Sequence, residues 1–291
     1  MKVGVVGVGI MGSAIARNIL KSGAGVVGYD VDPARMGELE SMGGASAGSA
    51  GEVAAAVDVV VSSLPSAAAL DATVKAMVAL PKRNLVVCEL STLPIDVKTR
   101  ARDALAAAGI AMLDCPLSGT GAQAVTGDLA VFASGDRAAY DRIQDVFPRF
   151  ARVTHYLGAF GNGSKMKFVA NLLVAIHNVA SAEAIVLGRK AGLDADLVAK
   201  VIPTGVGTSR VFELRAPLMV KGRYEPPTMK VEVWQKDMEI IGAYAKSLGV
   251  VTPLFSASAP IYDAAEERGF GGQDTAAVCA VLEEMSGIGG D

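Results

Sequence analysis

The stretch that decides the fold lies at Lys2–Gly12 and reads KVGVVGVGIMG. A short apolar strand pattern, Val3–Val6, passes directly into a G-x-G-x-x-G turn, and apolar residues at helical spacing follow. Strand, glycine turn and helix in this order are what dinucleotide binding at a helix N-terminus requires. Gly7 allows the tight turn, Gly9 lets a pyrophosphate approach the backbone, and Gly12 lets the helix pack closely. We therefore predict a dinucleotide site in this turn.

An acidic residue follows the second predicted strand. Val26–Tyr29 is apolar, and Asp30 ends it, 18 residues after the last glycine of the turn. A carboxylate at this place accepts hydrogen bonds from both ribose hydroxyls of an adenosine and repels a 2′-phosphate. NAD is therefore favoured over NADP, although Arg35 is close enough to weaken the preference. Ile10 and Met11, inside the turn, are expected cofactor contacts. The alternative is an ordinary strand–turn–helix with Asp30 on a surface turn.

Composition indicates a compact globular protein. Of its 291 residues, 51% are hydrophobic and 20% charged, and the net charge is −3 without any Lys/Arg run. This length suffices for two domains, and a nucleic-acid partner is not indicated. Cys88, Cys115 and Cys279 are odd in number and widely spaced, which suits a reducing compartment and offers neither a zinc pattern nor a disulfide framework.

Membrane insertion is not expected. The apolar N-terminus contains the glycine turn and lacks a cleavage site, so we predict no signal peptide. The longest uncharged apolar stretch, Phe168–Ala182, is shorter than a membrane span of ~20 residues. We interpret it as a buried helix in a soluble, cytoplasmic protein.

The first half of the chain alternates strand and helix patterns, which predicts a doubly wound parallel sheet of the Rossmann type. The predicted strands are Val3–Val6, Val26–Tyr29, Val57–Ser62, Leu85–Cys88, Ala111–Asp114, Leu129–Ala133 and Val153–Tyr156. The predicted helices are Pro33–Met42, Ala67–Val78, Ile95–Ala108 and Arg137–Phe147.

The second half has long helical periods and few strand patterns. Its predicted helices are Ser164–Ala191, Ala195–Ile202, Phe212–Lys221, Met229–Leu248, Ser256–Arg268 and Asp274–Met285. The pattern changes near Gly158–Gly163, so we predict an α/β dinucleotide-binding domain at 1–162 and an all-helical substrate and oligomerisation domain at 163–291. The helix at 164–191 would join them, with the active site in the cleft between the two.

Several segments, in this order, resemble the β-hydroxyacid dehydrogenase family, which includes 3-hydroxyisobutyrate dehydrogenase and tartronate semialdehyde reductase. The resemblance covers nearly the whole chain. The segments are Gly7–Gly12, Ser63–Pro65, Ser91–Pro94, Asp114–Gly119, Gly161–Lys167 and Lys236–Asp237. It implies an NAD(P)-dependent oxidoreductase that converts a small 3-hydroxyacid to its semialdehyde, or the reverse, and assembles as a homodimer or homotetramer.

The resemblance assigns the general acid/base to Lys167. An ammonium can protonate the alkoxide that forms as hydride reaches a carbonyl, and the reverse direction needs a neutral amine. A free lysine has a pKa of ~10.4, and burial would lower it toward the useful range. Asn171 lies four residues later on the same helix face, where it would bind substrate and place Lys167. Ala170 replaces the first asparagine of the family's K-x-x-N-N pattern.

The remaining site residues also come from the resemblance. Ser118 and Gly119 match a segment that binds the substrate carboxylate, with Thr120 in place of a second glycine. Cofactor contacts are implied at the ends of two predicted strands and on a C-terminal helix: Leu64, Pro65, Thr92 and Lys236. Local alternatives remain open, such as Pro65 as a strand terminator and Thr92 or Ser91 as a helix cap.

Other residues fit less well as catalysts. His155 and His177 have no acidic partner nearby in sequence, and no Cys or Asp cluster accompanies them, so a catalytic metal is not predicted. Met11, Leu117, Thr120, Phe168, Trp234 and Gln235 are candidates for shaping the substrate pocket, although a core position suits Trp234 better. Competing functions are an imine reductase, 6-phosphogluconate dehydrogenase and a non-catalytic cofactor-binding protein of the same fold. The particular hydroxyacid is left open.

Overall fold

Residues 1–79 and 84–288 are described by a computed structural model of the chain. They form two compact units, Met1–Lys167 and Phe168–Asp291. Helix α8 (Asn162–Lys190) runs from the first unit into the second, so the division falls inside it. The domain boundary predicted after residue 162 lies slightly before this point and stays a prediction.

A six-stranded sheet, parallel throughout, forms the centre of the first unit. Its order is β3-β2-β1-β4-β5-β6, so the winding reverses between β1 and β4. Open sheets of this kind bind ligands at the carboxyl ends of the strands beside such a reversal. The strands are β1 (Lys2–Val6), β2 (Gly25–Tyr29), β3 (Ala45–Ser46), β4 (Val59–Ser62), β5 (Val86–Glu89) and β6 (Ala111–Asp114). This confirms the predicted doubly wound sheet.

Both faces of this sheet are buried, which is why its strands are apolar at nearly every position. Successive side chains point to opposite faces, so Val5 joins one core cluster and Val6 joins the other. The helices of the unit that precede α8 are α1 (Ile10–Lys21), α2 (Pro33–Ser41), α3 (Ala50–Ala56), α4 (Ala67–Val78), α5 (Ile95–Ala107), α6 (Gly121–Thr126) and α7 (Arg137–Ile143).

A second, three-stranded sheet follows the first and differs from the sequence prediction. It contains β7 (Leu117–Ser118), β8 (Ala130–Ala133) and β9 (Val153–Tyr156), with β7 antiparallel to β8. The strands expected at Leu129–Ala133 and Val153–Tyr156 therefore do not extend the parallel series. An isolated bridge between Asp114 and Ser134 connects the end of β6 to the residue after β8.

The second unit is helical, as predicted. Its elements after α8 are α9 (Ala195–Val201), α10 (Arg210–Lys221), α11 (Val231–Ser247), α12 (Pro253–Ala265) and α13 (Val278–Met285). Aromatic residues fill its core, including Phe168, Trp234 and Tyr262. The Tyr262 hydroxyl donates to the Ala175 carbonyl at 3.1 Å and accepts from Asn178 Nδ2 at 3.0 Å, which ties α12 to α8.

Helix α8 is longer than the apolar stretch seen in the sequence. At 29 residues it is long and apolar enough to cross a membrane by length and composition. Asn171, Asn178 and Ser181 are nevertheless buried and hydrogen-bonded within it or against neighbouring helices. Buried polar side chains with hydrogen-bond partners in the protein are typical of a core helix.

Several predicted helix bounds were wrong for local reasons. The helix expected at Arg137–Phe147 ends at Ile143 and continues as a 3₁₀ turn, Gln144–Arg149, which contains Pro148. The helix expected at Asp274–Met285 splits after a 3₁₀ turn, Thr275–Ala277, whose start is capped by Asp274.

Candidate active site

The three glycines of the N-terminal turn have distinct surroundings. Gly7 has φ +85°, and a Cβ there would lie 2.1 Å from the Ser63 carbonyl oxygen. A Cβ on Gly12 would lie 1.8 Å from the Gly7 carbonyl oxygen, so α1 packs on the turn itself more closely than on β1. Around Gly9 nothing lies within 4 Å. Two glycines are thus required by the backbone, and the third faces the open space that a pyrophosphate needs.

The start of α1 also fits an anionic group. Gly9 caps the helix without a side-chain hydrogen bond, and its first turn contains no acidic residue. The N–H groups of such a helix start attract phosphate through hydrogen bonds and the helix dipole. Ile10 is 63% exposed and Met11 is half-buried beside it. The residues present therefore fit the pyrophosphate of a dinucleotide.

Asp30 lies at the end of β2, beside this turn. Its Oδ2 accepts from the Val8 amide at 2.6 Å, and its Oδ1 accepts from the Asp32 amide at 2.9 Å. A carboxylate has about four acceptor positions, so hydroxyl groups can still bind. Arg35 lies 3.1 Å from Glu38 and 4.0 Å from Asp32, so its guanidinium faces carboxylates of its own segment.

Leu64 and Thr92 lie just past the ends of β4 and β5, at the sheet edge where ligands bind. The Leu64 amide donates to Ser91 Oγ at 2.8 Å, and the Ser91 amide donates to Glu89 Oε1 at 2.9 Å. Ser91 therefore joins the two loops and does not cap α5, whose N-cap is Pro94. Pro65 follows Leu64 and is exposed.

The segment Ser118–Thr120 connects β7 to α6 and is half-buried. Gly119 has φ +137°, and a Cβ there would lie 2.6 Å from Leu129 Cδ2, so this position requires glycine. The Thr120 amide donates to Gln123 Oε1 at 3.1 Å, as the N-cap of α6. The Thr120 amide is therefore already engaged within the segment.

The first turn of α8, which carries Lys167, is held by side chains from the sheets. Ser134 Oγ accepts from the Gly163 amide at 2.9 Å. Asp114 Oδ2 accepts from the Ser164 amide, and Asp114 Oδ1 accepts from the Ser164 hydroxyl, both at 2.8 Å. Lys167 is half-buried three residues later.

Asp114 belongs to a buried ion cluster. Lys98 Nζ lies 2.8 Å from Asp114 Oδ1 and 2.6 Å from Glu89 Oε2, and all three side chains are at most 1% exposed. Burial alone would lower the pKa of Lys98, but the charges of Asp114 and Glu89 outweigh it and hold the pKa well above its usual value. Lys98 is therefore a permanent ammonium at the end of the sheet.

Asn171, one helical turn after Lys167, is buried, and its Nδ2 donates to Asp237 Oδ2 at 2.9 Å. Asp237 lies on α11 and is itself buried, and its Oδ1 lies 3.7 Å from Lys236 Nζ. The sequence singled out Lys236 in this pair, whereas the structure joins Asp237 to a predicted catalytic residue.

The remaining candidates fall into the core or onto the surface. Phe168 and Trp234 are buried in the helical unit, which confirms a core position for Trp234. Gln235 pairs with Asp263 at 2.9 Å. His155 is exposed and His177 half-buried. Across residues 1–79 and 84–288, no group of three or more His, Cys, Asp and Glu side chains is placed to hold a metal ion.

The sequence analysis missed Glu89 and Lys98, and it named Asp114 and Asp237 within motif segments without assigning them a role. Glu89 and Asp114 each end an apolar strand, at the sheet edge where ligands bind. The available signal was a carboxylate at the end of a strand, followed by a lysine in the next helix. This pattern does not show which carboxylates pair with the lysine.

Two family models match the chain. Residues 2–158 match the NAD-binding domain of 6-phosphogluconate dehydrogenase. Residues 161–282 match the NAD-binding region of NADP-dependent 3-hydroxyisobutyrate dehydrogenase.

Relatives match over nearly full length. L-Threonate dehydrogenase of Cupriavidus necator is 32% identical over 285 residues, which are 96% of this chain and 95% of that protein. The structure of 3-hydroxyisobutyrate dehydrogenase from Salmonella typhimurium has a TM-score of 0.86 and 32% identity, covering 97% of this chain and 99% of that one. The Mycobacterium tuberculosis 3-hydroxyisobutyrate dehydrogenase with L-serine has a TM-score of 0.86 and 26% identity, covering 97% and 98%.

The glycine turn and the sheet order define an NAD(P)-dependent oxidoreductase. Matches over both units and over whole relatives place it more narrowly: the chain belongs to the β-hydroxyacid dehydrogenase family. It acts on the CH–OH group of small hydroxyacids, in a reversible oxidation. Imine reduction and a purely non-catalytic role are therefore set aside.

Proposed function

We propose that this enzyme oxidises a small 3-hydroxyacid to its semialdehyde, and reduces the semialdehyde in reverse, with Lys167 as the general acid/base. One observation carries the proposal. A half-buried lysine stands one turn before a buried asparagine on α8, at the positions that match the family's catalytic segment. Base catalysis by an amine requires its neutral form, and an amine at this place would supply it.

NAD, when bound, supplies the hydride acceptor at C4 of nicotinamide. In oxidation, the neutral amine of Lys167 takes the hydroxyl proton, and in reduction the ammonium returns it. Because a carboxylate only accepts hydrogen bonds, Asn171 presents its NH₂ group to Asp237 and keeps its carbonyl oxygen for the substrate hydroxyl or Lys167. Asp237 thereby fixes the orientation of the Asn171 amide.

The acid end of the substrate is proposed to bind at Ser118–Thr120. The Ser118 hydroxyl and the Gly119 amide supply donors, while the Thr120 amide is engaged with Gln123. Thr120 in place of a second glycine narrows this site and adds a hydroxyl group. Such a site favours a short acid with polar substituents over a bulky apolar one.

NAD is the proposed cofactor in preference to NADP, with contacts from Gly7, Gly9, Ile10, Met11, Gly12, Asp30, Leu64, Pro65, Thr92 and Lys236. Two acidic residues, Asp30 and Asp32, surround the ribose position, and the arginine nearby, Arg35, already pairs with Glu38 and Asp32. A 2′-phosphate would meet net negative charge there. A cytoplasmic homodimer or homotetramer is also proposed, because Leu187, Leu193 and Leu197 expose apolar surface.

The test is turnover on a panel of hydroxyacids with NAD and with NADP, for the wild-type protein and Lys167→Ala. We expect turnover on short 3-hydroxyacids and higher kcat/KM with NAD. Lys167→Ala should lose turnover while NADH binding, followed by fluorescence, is retained. Equal turnover by both proteins would refute the role of Lys167, and light scattering would settle the oligomeric state.

A further inference from the structure

Helix α8 carries Lys167, so the position of its first turn matters for catalysis if Lys167 is the general acid/base, as proposed above. We propose that Asp114 and Ser164 are positioning residues for the reaction. Together they fix the first turn of α8 on the sheet and so determine the position of the Lys167 amine. Buried Lys98, in turn, fixes the orientation of the Asp114 carboxylate.

The start of α8 is capped from a distance. The first N–H groups of a helix lack partners inside the helix and are usually satisfied by a neighbouring residue in sequence. Here the Gly163 amide donates to Ser134, 29 residues away, and the Ser164 amide donates to Asp114, 50 residues away. The helix start is thereby tied to the ends of β6 and β8, in addition to its local bonds from Asn162 to the Leu157 and Ala159 carbonyls.

Close packing prevents this helix start from shifting. A Cβ on Gly163 would lie 2.2 Å from the Phe132 carbonyl oxygen and 2.7 Å from that of Asp114. The backbone of the first turn of α8, at Gly163, therefore lies directly against the backbone of both sheets. Backbone contacts of this kind cannot be relieved by rotating a side chain.

Both carboxylate oxygens of Asp114 accept hydrogen bonds from buried donors. Its Oδ1 accepts from Lys98 Nζ and Ser164 Oγ at 2.8 Å each, and its Oδ2 accepts from the Ser164 amide at 2.8 Å. The single hydroxyl proton of Ser134 is shared between the Asp114 carbonyl oxygen at 3.2 Å and Oδ2 at 3.3 Å. A buried carboxylate with three full donors is held in one favourable orientation. The positive charge of Lys98 is needed because an unpaired buried carboxylate is strongly unfavourable.

Ser164 lies close to Lys167 along helix α8. Lys167 is three residues after Ser164, which is about 4.5 Å along a helix axis and close to the same face. If the backbone of Ser164 shifts, the backbone of Lys167 therefore shifts by nearly the same distance. A misplacement of about 1 Å in a catalytic group can cost on the order of 10²-fold in rate.

The experiment compares Ser164→Ala and Asp114→Asn with wild type. We expect kcat to fall about tenfold or more in each, with NADH affinity unchanged, and hydrogen exchange at residues 162–166 to accelerate. Ser49→Ala is the matched control, since Ser49 caps α3 by accepting from the Glu52 amide at 3.1 Å. It should leave kcat at the wild-type value.

A double-mutant cycle with Lys167→Ala separates the two proposals. If Ser164 acts through Lys167, Ser164→Ala should cause no further loss in the Lys167→Ala background. An equal loss in both backgrounds would overturn the positioning role. Wild-type kcat and wild-type exchange in both Ser164→Ala and Asp114→Asn would also overturn it, even with Lys167→Ala inactive. Full turnover by Lys167→Ala would instead refute the proposed function.

Discussion

Each unit of the chain buries an ion cluster, and the two clusters differ in what they hold. In the first unit, Lys98 bridges Glu89 and Asp114. In the second unit, Arg215 Nη1 pairs with Asp274 Oδ1 at 2.6 Å, and both side chains are buried. The two aspartates have the same exposure, 0%, and both also accept backbone amides.

The second cluster fastens connections between helices. Asp274 accepts from the Thr228 amide at 2.7 Å and the Ala276 amide at 3.0 Å, so it ties α10 to the segments before α11 and α13. The first cluster instead ends on the helix turn before Lys167. A buried ion cluster therefore does not by itself identify an active site. Its role depends on which helix or loop the cluster holds in place.

The largest expected effect is on Lys167 itself. Lys167→Ala should lower kcat by about 10²–10⁴-fold, the usual contribution of general acid/base catalysis. Lys165, two residues earlier, is exposed and hydrogen-bonds Asn162 at 3.2 Å, so Lys165→Ala is the matched control. Steady-state kinetics should show wild-type kcat for Lys165→Ala, and a similar loss in both variants would contradict the assignment.

The next effect separates the two ion clusters. Asp274→Ala leaves Arg215 buried without its carboxylate and should cost about 3–5 kcal/mol in the free energy of unfolding. Asp114→Ala should cost less through its ion pair, because Lys98 keeps Glu89 as a partner at 2.6 Å. Urea unfolding and kcat per folded molecule measured together should show that only Asp114→Ala also loses turnover. Equal kcat in the two variants would remove the distinction between the clusters.

A glycine comparison tests the packing of α8 on the sheets. Gly163→Ala should lower stability by about 1–3 kcal/mol, as overpacking does, and should reduce kcat as well. Gly205→Ala is the control, because the nearest atom to a Cβ there is 3.9 Å away. Thermal unfolding should show a lower Tm for Gly163→Ala, whereas an unchanged Tm would mean that the helix start adjusts freely.

Within the first unit, a substitution at Asp30 should change the preference for NAD over NADP without affecting the ion cluster. Asp30→Ser removes the charge that repels a 2′-phosphate, so the NAD-to-NADP ratio of kcat/KM should fall about tenfold, which corresponds to about 1.4 kcal/mol. Arg35→Ala should change the ratio less, since Arg35 is paired with Glu38. A wild-type ratio in Asp30→Ser would refute this basis for the preference.

A last effect, on stability alone, concerns buried thiols at high pH. Burial raises the pKa of Cys279 to about 11, and burial also raises the pKa of Cys115 well above its usual value. Above a pH of about 8.5 the unfolded chain releases these protons while the folded chain keeps them, so stability falls as pH rises. Each group contributes up to about 1.4 kcal/mol per pH unit.

Cys279→Ala should flatten the alkaline slope of the unfolding free energy between a pH of about 9 and the pKa of about 11. Cys115→Ala should extend the same test to the first unit. A slope that is unchanged in both variants would show that other groups govern alkaline unfolding.

The sequence predicted those parts of the molecule that depend on local pattern. The strand, turn and helix at Lys2–Lys21 follow from apolar spacing and three glycines, and Ala67–Val78 and Ala111–Asp114 were predicted with their observed bounds. Helix α3 was missed because Ala50–Ala56 is mostly alanine and glycine and shows little apolar periodicity.

The sequence could not predict contacts between distant segments. Asp114 and Ser164 are 50 residues apart, and Asn171 and Asp237 are 66 apart. Each residue is an ordinary polar side chain by local pattern, and only the fold brings the pairs together. The second sheet was missed for the same reason, because a strand pattern such as Val153–Tyr156 does not identify its neighbour.

The pH dependence of kcat/KM for oxidation, measured for wild type and Lys167→Ala together, shows whether Lys167 is the base. We expect the wild-type value to rise with pH until the Lys167 amine is neutral and then to level off. Lys167→Ala should be slower by orders of magnitude and lack this inflection. The same inflection in Lys167→Ala, at a rate within a few-fold of wild type, would contradict the assignment of Lys167 as the base.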